Sequence, residues 1–589
     1  MSSHRTGIRV LQRPEAAARS QQEAEMIVKF NTAYNIAKEE MPFTKFRSQI
    51  LLQKKNGLNV NPTYSNDMSC ALFIGVIADT LKKRTVEKIA AVPYLSFMID
   101  GDTDISTKEC EIVYARIMAN GRPINILIGH VEVKHANAQG IYAATKQAFT
   151  RLGVQCEDWL EKTVAMGADG AAVNLGYKGG VIALVQQEAG DFIVPFHCMP
   201  HRLELALLSV QKDNKMIGQV YDVLNLVWKT YHFSTKSMRE LKALGSELGV
   251  NVNVPSGVKG TRWLPHVARA MDTFLRPGKD LSLQDAGQFI AVYYHMDHLA
   301  GASTNADVAG RARKIKQTME DGTFVAFCHF LADLFAAISR FSLLLQRNDI
   351  ILPQAVSGIK SLLVSIEAME ARPKPGGRLA QLQADLKLQR TRQQEGEPSK
   401  ESGTAKAVRC FNIIFNHDSW PEDKEQLLDH GAEELAFLLE HFSTILRRNG
   451  ANVDLAKEEF EALKMLISTT FMDKKSYLSL WELMMRKEPY CSDYKNILHL
   501  VHIMMVLPVS SAVCERGFSS QKRIKSDIRA SLNIDTVEDL IRISIEGPSL
   551  EDFDARESVK TWFTQGERAR RPNYMGWPSV DHGASGDLL

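Results

Sequence analysis

The sequence predicts a mixed α/β protein, in which a sheet-bearing core is interrupted by a large all-α insertion and flanked by helical regions at both ends. Three observations predict it. Strand texture begins near Val92 and runs to about Met199. From residue 266 to 480 that texture disappears, and apolar side chains recur every three or four positions. The same helical spacing covers Ala24 to Lys88 and returns over 479–546. At 589 residues the chain is also too long for one ordinary core.

Taken in order, residues 1–25 are polar and rich in Arg, Glu and Gln, and are expected to form a disordered arm. Residues 26–92 read as a helical N-terminal region. The first part of the core is expected over 93–265. LSFMID (95–100), CEIVYARIMA (110–119) and INILIGHVEV (124–133) read as a three-stranded antiparallel meander, the last two joined through the turn-like NGRP. AQGIYAATKQAFTRLG reads as a helix, TVAMGAD (163–169) as a buried strand, GGVIALVQQEA as a helix, FIVPFHCM (192–199) as a strand and HRLELALLSVQK as a helix. Three strands, helix, strand, helix, strand, helix is the element order of an RNase H-like core. The all-α insertion is placed at 266–478, with a Pro-, Gly- and charge-rich stretch at 372–408 expected to be flexible. Residues 479–546 read as helical again and 547–589 as a loosely ordered tail.

Composition narrows the function classes. Hydrophobic residues make up 45% and charged residues 24%, as in ordinary globular proteins. The net charge of +2 does not mark a nucleic-acid binder, so such a surface would need local clusters. Lys82–Arg84, Arg311–Lys316, Lys522–Lys525 and Arg568–Arg571 are such clusters, although each alone also suits a solvated helix face. The eight cysteines include no CxxC pair, which excludes the usual zinc finger and a disulfide framework and fits a reducing compartment. The N-terminus has no apolar segment of a secretory signal, and no run of about 18 apolar residues suggests a membrane span.

The candidate chemistry rests on acids. Asp100 ends one predicted strand and Asp169 another, and rigid strand ends can bring carboxylates together around a divalent metal. Glu515 lies in the first turns of a helix that starts after Pro508 and Ser510–Ser511, where the helix dipole favours an ionised carboxylate. Arg516, Lys522 and Arg523 follow on the same helix. Each acid alone is equally a turn or helix-surface residue. Cys198 and His201 form a CxxH without a second half, so a structural role is open, as is a phosphate contact through His201. Arg262 and Trp263 could hold a phosphate and stack on a base, or form a buried Trp beside an extended Arg.

Together these segments resemble the hAT transposase superfamily. The resemblance is carried in order by FMIDGDTDIS, GADGAAVN, HCMPHRLELAL, TRW and, most specifically, SSAVCERGFS at 510–519, and it covers about 90–546. It implies that Asp100, Asp169 and Glu515 form a catalytic and metal-binding triad holding Mg2+ or Mn2+. It implies a DDE-type reaction, phosphodiester hydrolysis followed by transesterification. It further implies DNA contacts from Arg262, Trp263, His201, Arg516, Lys522 and Arg523, and self-association as a homodimer or higher oligomer through a C-terminal dimerisation region. The partners implied are DNA and a second copy of the chain, with no membrane and no small-molecule substrate, and the location is nuclear. Three features depart from the family pattern. No Cys/His set for a BED-type zinc finger is present, Gly-Asp-Thr-Asp follows the first acid so that Asp102 and Asp104 compete with Asp100, and Cys514 replaces a small residue. Three readings therefore stay open: a transposase, a domesticated nuclear protein that dimerises and binds nucleic acid without cutting it, and a helical scaffold whose acids are turn residues.

Overall fold

The computed structural model describes residues 2–254, 257, 263–277, 287–386, 403–471 and 476–564. The chain divides into two compact units. The first comprises Met1–Phe196, Leu439–Phe460 and Trp481–Leu589; the second comprises His197–Leu438 and Glu461–Leu480.

The first unit is built on five strands: β1 (Leu95–Thr103), β2 (Glu109–Ala119), β3 (Arg122–Glu132), β4 (Thr163–Ala168) and β5 (Val194–His197). Their order in the sheet is β3-β2-β1-β4-β5. β1, β2 and β3 form the expected antiparallel meander, and β4 pairs with β1 in parallel. Ala119 pairs with Arg122, so β2 and β3 are joined by a two-residue turn, Asn120-Gly121. Both turn residues have positive φ (51° and 74°), the type I′ geometry that matches strand twist and that Asn-Gly adopts at little cost. β2 is buried along nearly its whole length, because helices cover both faces of the sheet.

One face packs under helices from both ends of the chain: α1 (Ser2–Lys38), α2 (Lys45–Lys55) and α3 (Asp67–Ala91) from the N-terminal side. α4 (Ala138–Leu152) and α5 (Val181–Ala189) follow in sequence, then α6 (Lys495–Val506), α7 (Ala512–Ile524), α8 (Ile534–Glu546) and α9 (Arg556–Thr564). Met98, Ile112, Tyr114 and Leu127 of the sheet share one core with Phe30 and Phe73 of the N-terminal helices and with Phe518, Ile541 and Phe563. On α4, Phe149 stacks on Trp159 at 4.2 Å, and Phe97 of β1 meets the same Trp edge-on. The helix starts are capped as their sequences suggest: Asn66, Asn137 and Asn533 each accept a hydrogen bond from the backbone three residues on.

Two expectations are corrected here. Residues 1–25 are not a disordered arm, since α1 begins at Ser2; EAAARSQQEAE (15–25) consists almost wholly of good helix formers, which outweigh its polarity. The tail is folded over α9, because Val559 and Phe563 recur at helical spacing and are buried in the common core.

The described elements of the second unit are all helical. It begins at His197 rather than near 266, because Val220, Leu224, Val227 and Leu241 join its core together with Phe324, Leu331 and Ile338. The Gly322–Leu345 helix, with a mean hydropathy of 1.6, is long and apolar enough to cross a membrane, and its apolar face is the centre of that core. Within the stretch expected to be flexible, Arg378–Leu386 is a helix. Asp333 caps it by accepting hydrogen bonds from the Arg378 and Leu379 amides; residues 387–402 lie outside the described residues.

Candidate carboxylate site at the sheet edge

β1 and β4 run in parallel with Met98 opposite Gly167, so two residues further on Asp169, just past the end of β4, comes beside Asp100. Asp100 does not end its strand as expected: it is still paired with Ile112, and β1 continues to Thr103. Asp169 is half-buried. Its Oδ1 accepts hydrogen bonds from the Ala171 amide (3.2 Å) and from Asn174 Nδ2 (2.7 Å). The turn role and the site role therefore coexist in one residue, with the side chain fixed by its own loop. Gly167 is required at its position. A Cβ there would stand 2.9 Å from Pro508, so the glycine lets the segment leading into α7 cross close over β4.

α7 carries Glu515 in its first turn. Ser511 occupies the N-cap position without a side-chain cap bond, while the Ser510 hydroxyl accepts from the Ala512 amide. The helix lies on β1 and β2 through Gly517, where a Cβ would collide with Ile112. Further along, Gln521 bonds His130 at 3.0 Å. Lys522 pairs with Asp102 at 2.6 Å and Lys525 with Asp104 at 2.6 Å. The sheet edge thus brings Asp100 and Asp169 together and seats the helix of Glu515 on the strand that bears Asp100.

The two competing acids have other employment. Asp104 is buried, and its carboxylate accepts from the Ser106 and Lys108 amides as well as from Lys525. Burial pushes its pKa up, but those three donors outweigh burial and hold it below the usual carboxylate range. Asp102 belongs to the Lys522 pair.

The sequence reading overlooked Glu111. It stands on β2 opposite Gly101, is 3% exposed, and would lie 3.2 Å from a Cβ at that glycine. Burial, then Asp100, then Asp169 drive its carboxyl well above the ordinary range, so negative charge is already concentrated around it. The available signal was an acid near the start of a strand that runs antiparallel to the strand of Asp100.

Of the cationic candidates on α7, Arg516 is half-buried beside Glu515 in sequence. Lys522 and Arg523 are exposed but paired, the latter in a two-pronged contact with Glu40 at 2.6 and 2.8 Å. His201, on the second unit, sits in the first turn of the Met199–Asp213 helix with its ring 5.7 Å from that of His197. Arg262 and the side chain of Trp263 lie outside the described residues; the Trp263 backbone begins the Trp263–Phe274 helix.

The donors at this edge are carboxylate oxygens, the ligand type that Mg2+ and Mn2+ prefer. Among the described residues, no three His, Cys, Asp or Glu side chains already stand together as a metal cage. Compared with known families, residues 461–544 match the model of the hAT family C-terminal dimerisation region. The match takes in α6, α7 and nearly all of α8, and so includes Glu515.

Proposed function

We propose that the chain, whose residues 461–544 match the hAT family C-terminal dimerisation region, is a hAT transposase or a protein derived from one, that it acts as a dimer on DNA, and that its sheet edge is a metal-dependent phosphodiester-cleaving site. The observation that carries this reading is the parallel β1–β4 register, which sets Asp100 of β1 beside Asp169 just past the end of β4, with the helix of Glu515 packed on β1 and β2. The strand order β3-β2-β1-β4-β5, with the meander antiparallel and β4 parallel to β1, supports an RNase H-like core. The helical second unit then corresponds to the all-α insertion.

Asp100, Asp169 and Glu515 would be the ligands of Mg2+ or Mn2+, which supplies activation of a water or hydroxyl and stabilisation of the leaving oxygen. Asn174 and the Ala171 amide orient the Asp169 carboxylate. The Lys525–Asp104 pair holds α7 to the end of β1. Lys522 is placed to exchange Asp102 for a phosphate, because an exposed ion pair is worth about 0–1 kcal/mol and is readily traded. His201, Arg262, Trp263, Arg516 and Arg523 complete the proposed DNA-contacting set, and the nucleus is the compartment such a substrate implies.

The test is nicking of supercoiled DNA by the full chain with Mg2+ or Mn2+, alongside Asp169→Asn. Cleavage by the wild type that the variant loses supports the reading. Equal activity, or none in either protein, removes the catalytic claim and leaves a dimeric DNA-binding protein, to be checked by light scattering and mobility shift.

A further inference from the structure

The second unit contains a cavity of about 610 Å³ between the Trp263–Phe274 and Gly322–Leu345 helices. Three arginines reach it: Arg269, Arg276 and Arg378. Arg378 is committed, donating to the Leu275 carbonyl (3.1 Å) and to Asp272 (2.9 Å), which also neutralises the acid lining the cavity. Arg269 and Arg276 are exposed, and among the described residues their side chains have no ion pair or hydrogen bond. Two positive charges are thus left uncompensated at one opening. Deeper in the wall the Ser339 hydroxyl is buried without a hydrogen-bond partner among the described residues. An orphaned buried hydroxyl is destabilising, and a bound polar group would relieve it. The rest of the wall mixes apolar Leu264, Ala268 and Leu343 with polar Asn253, Ser342 and Gln346.

A cationic mouth over a wall of mixed apolar and polar side chains, with one unsatisfied hydroxyl, is complementary to a group with an anionic end, a flat apolar body and a polar edge. We propose that this cavity is a nucleotide site, with the phosphate on Arg269 and Arg276 and the base against the apolar part of the wall, its polar edge within reach of Ser339. Guanidinium groups suit phosphate because their planar forks offer paired donors. The volume lies within the range of small-molecule pockets, about 300–1,000 Å³. The nucleotide comes either free from solution or as an unpaired unit of a DNA strand; the second source rests on the DNA-binding reading above, and the first does not.

The experiment measures binding by the full chain, in EDTA so that the carboxylate edge takes no part. Two probes are used, a fluorescein-labelled single-stranded oligothymidylate and a fluorescent ATP analogue. The proteins are wild type, Arg269→Ala/Arg276→Ala and Asp169→Asn. Both arginines are exposed, so the double variant should keep the wild-type melting temperature. It should bind at least one probe about tenfold more weakly. For the oligonucleotide its log–log salt slope should fall by about 0.7, the contribution of one phosphate contact to a single strand. A loss confined to the ATP analogue identifies a free nucleotide, and a loss with the strand identifies DNA. Asp169→Asn should bind as wild type, so a chain that binds here but never nicks DNA would refute the catalytic reading and leave this one standing. Unchanged binding of both probes by the double variant, or no binding of either by the wild type, overturns the proposal.

Discussion

Replacing Lys525 by Met should loosen α7 from the sheet edge. Its Nζ lies 2.6 Å from Asp104 Oδ2, and the two side chains are 7% and 3% exposed. Removing one member of a buried pair strands the other charge, at a typical cost of about 3–5 kcal/mol. Asp104 would keep its amide donors, Ser106 at 2.7 Å and Lys108 at 3.0 Å, so the lower end, about 3 kcal/mol, is expected. The effect should depend on pH. The folded-state pKa of Asp104 is lowered, so its contribution is complete above the unfolded carboxylate value and is lost as pH falls through the lowered folded value. The gap between wild type and variant should therefore be full at pH 7 and shrink below about pH 4. Hydrogen exchange followed by mass spectrometry on peptides spanning β1–β2 and α7 reads this locally; about 3 kcal/mol corresponds to roughly 100-fold faster exchange. Adding Asp104→Asn to Lys525→Met removes the stranded charge and should restore part of the protection. Exchange within about twofold of wild type, or a double variant no better protected than the single one, would refute the reasoning.

Three further outcomes are expected. His130 is buried, and burial lowers its pKa to about 4 despite the Gln521 hydrogen bond; stability should fall between about pH 6.5 and 4, by about 3 kcal/mol in total, and His130→Gln should flatten that limb in urea titrations. Arg542 is fully buried, donating to the Leu127 and Ile128 carbonyls at 2.8 and 3.0 Å and pairing with Glu538 and Glu546. Arg542→Leu should cost about 3–5 kcal/mol in denaturation followed by circular dichroism, and Arg542→Lys should recover part of it. Glu111→Gln should match wild type near pH 5 and exceed it in urea midpoint at pH 8, because a carboxyl raised by burial and by Asp100 and Asp169 loses folded-state stability as pH rises above its unfolded value.

Much of the sheet was legible in the sequence because its signals are local. Asn120-Gly121 announces its hairpin, and the short apolar run before Asp169 announces a strand end, whereas β1 runs past Asp100 to Thr103. What eluded the reading depends on partners distant in sequence. Glu111 looks like an ordinary acid near the start of a strand until β1 folds back against it. The pairing of Lys525 with Asp104 spans more than 400 residues, so nothing local announces that this acid is held in an ion pair. The helicity of residues 556–564 is visible in their spacing, but its weight comes from Phe73 and Trp562, which meet at 5.0 Å from opposite ends of the sequence. The start of the second unit was missed because HRLELALLSVQK and the helices after it carry the same spacing whichever core receives their apolar faces.

That shared core also sets a timetable. Phe30 and Phe73 are complete early in synthesis, yet Phe518, Ile541 and Phe563, which help enclose them, are added only near the end. About 470 residues separate α3 from the end of α9. At about 5–20 residues per second a ribosome needs roughly 25–95 s to traverse them. Through that interval the apolar sides of the first three helices lack the part of their cover that the C-terminal helices supply, while the whole second unit emerges. A nascent chain stalled before residue 510 would present those sides to chaperones or to neighbouring chains, and release of full-length protein would end the exposure in one step.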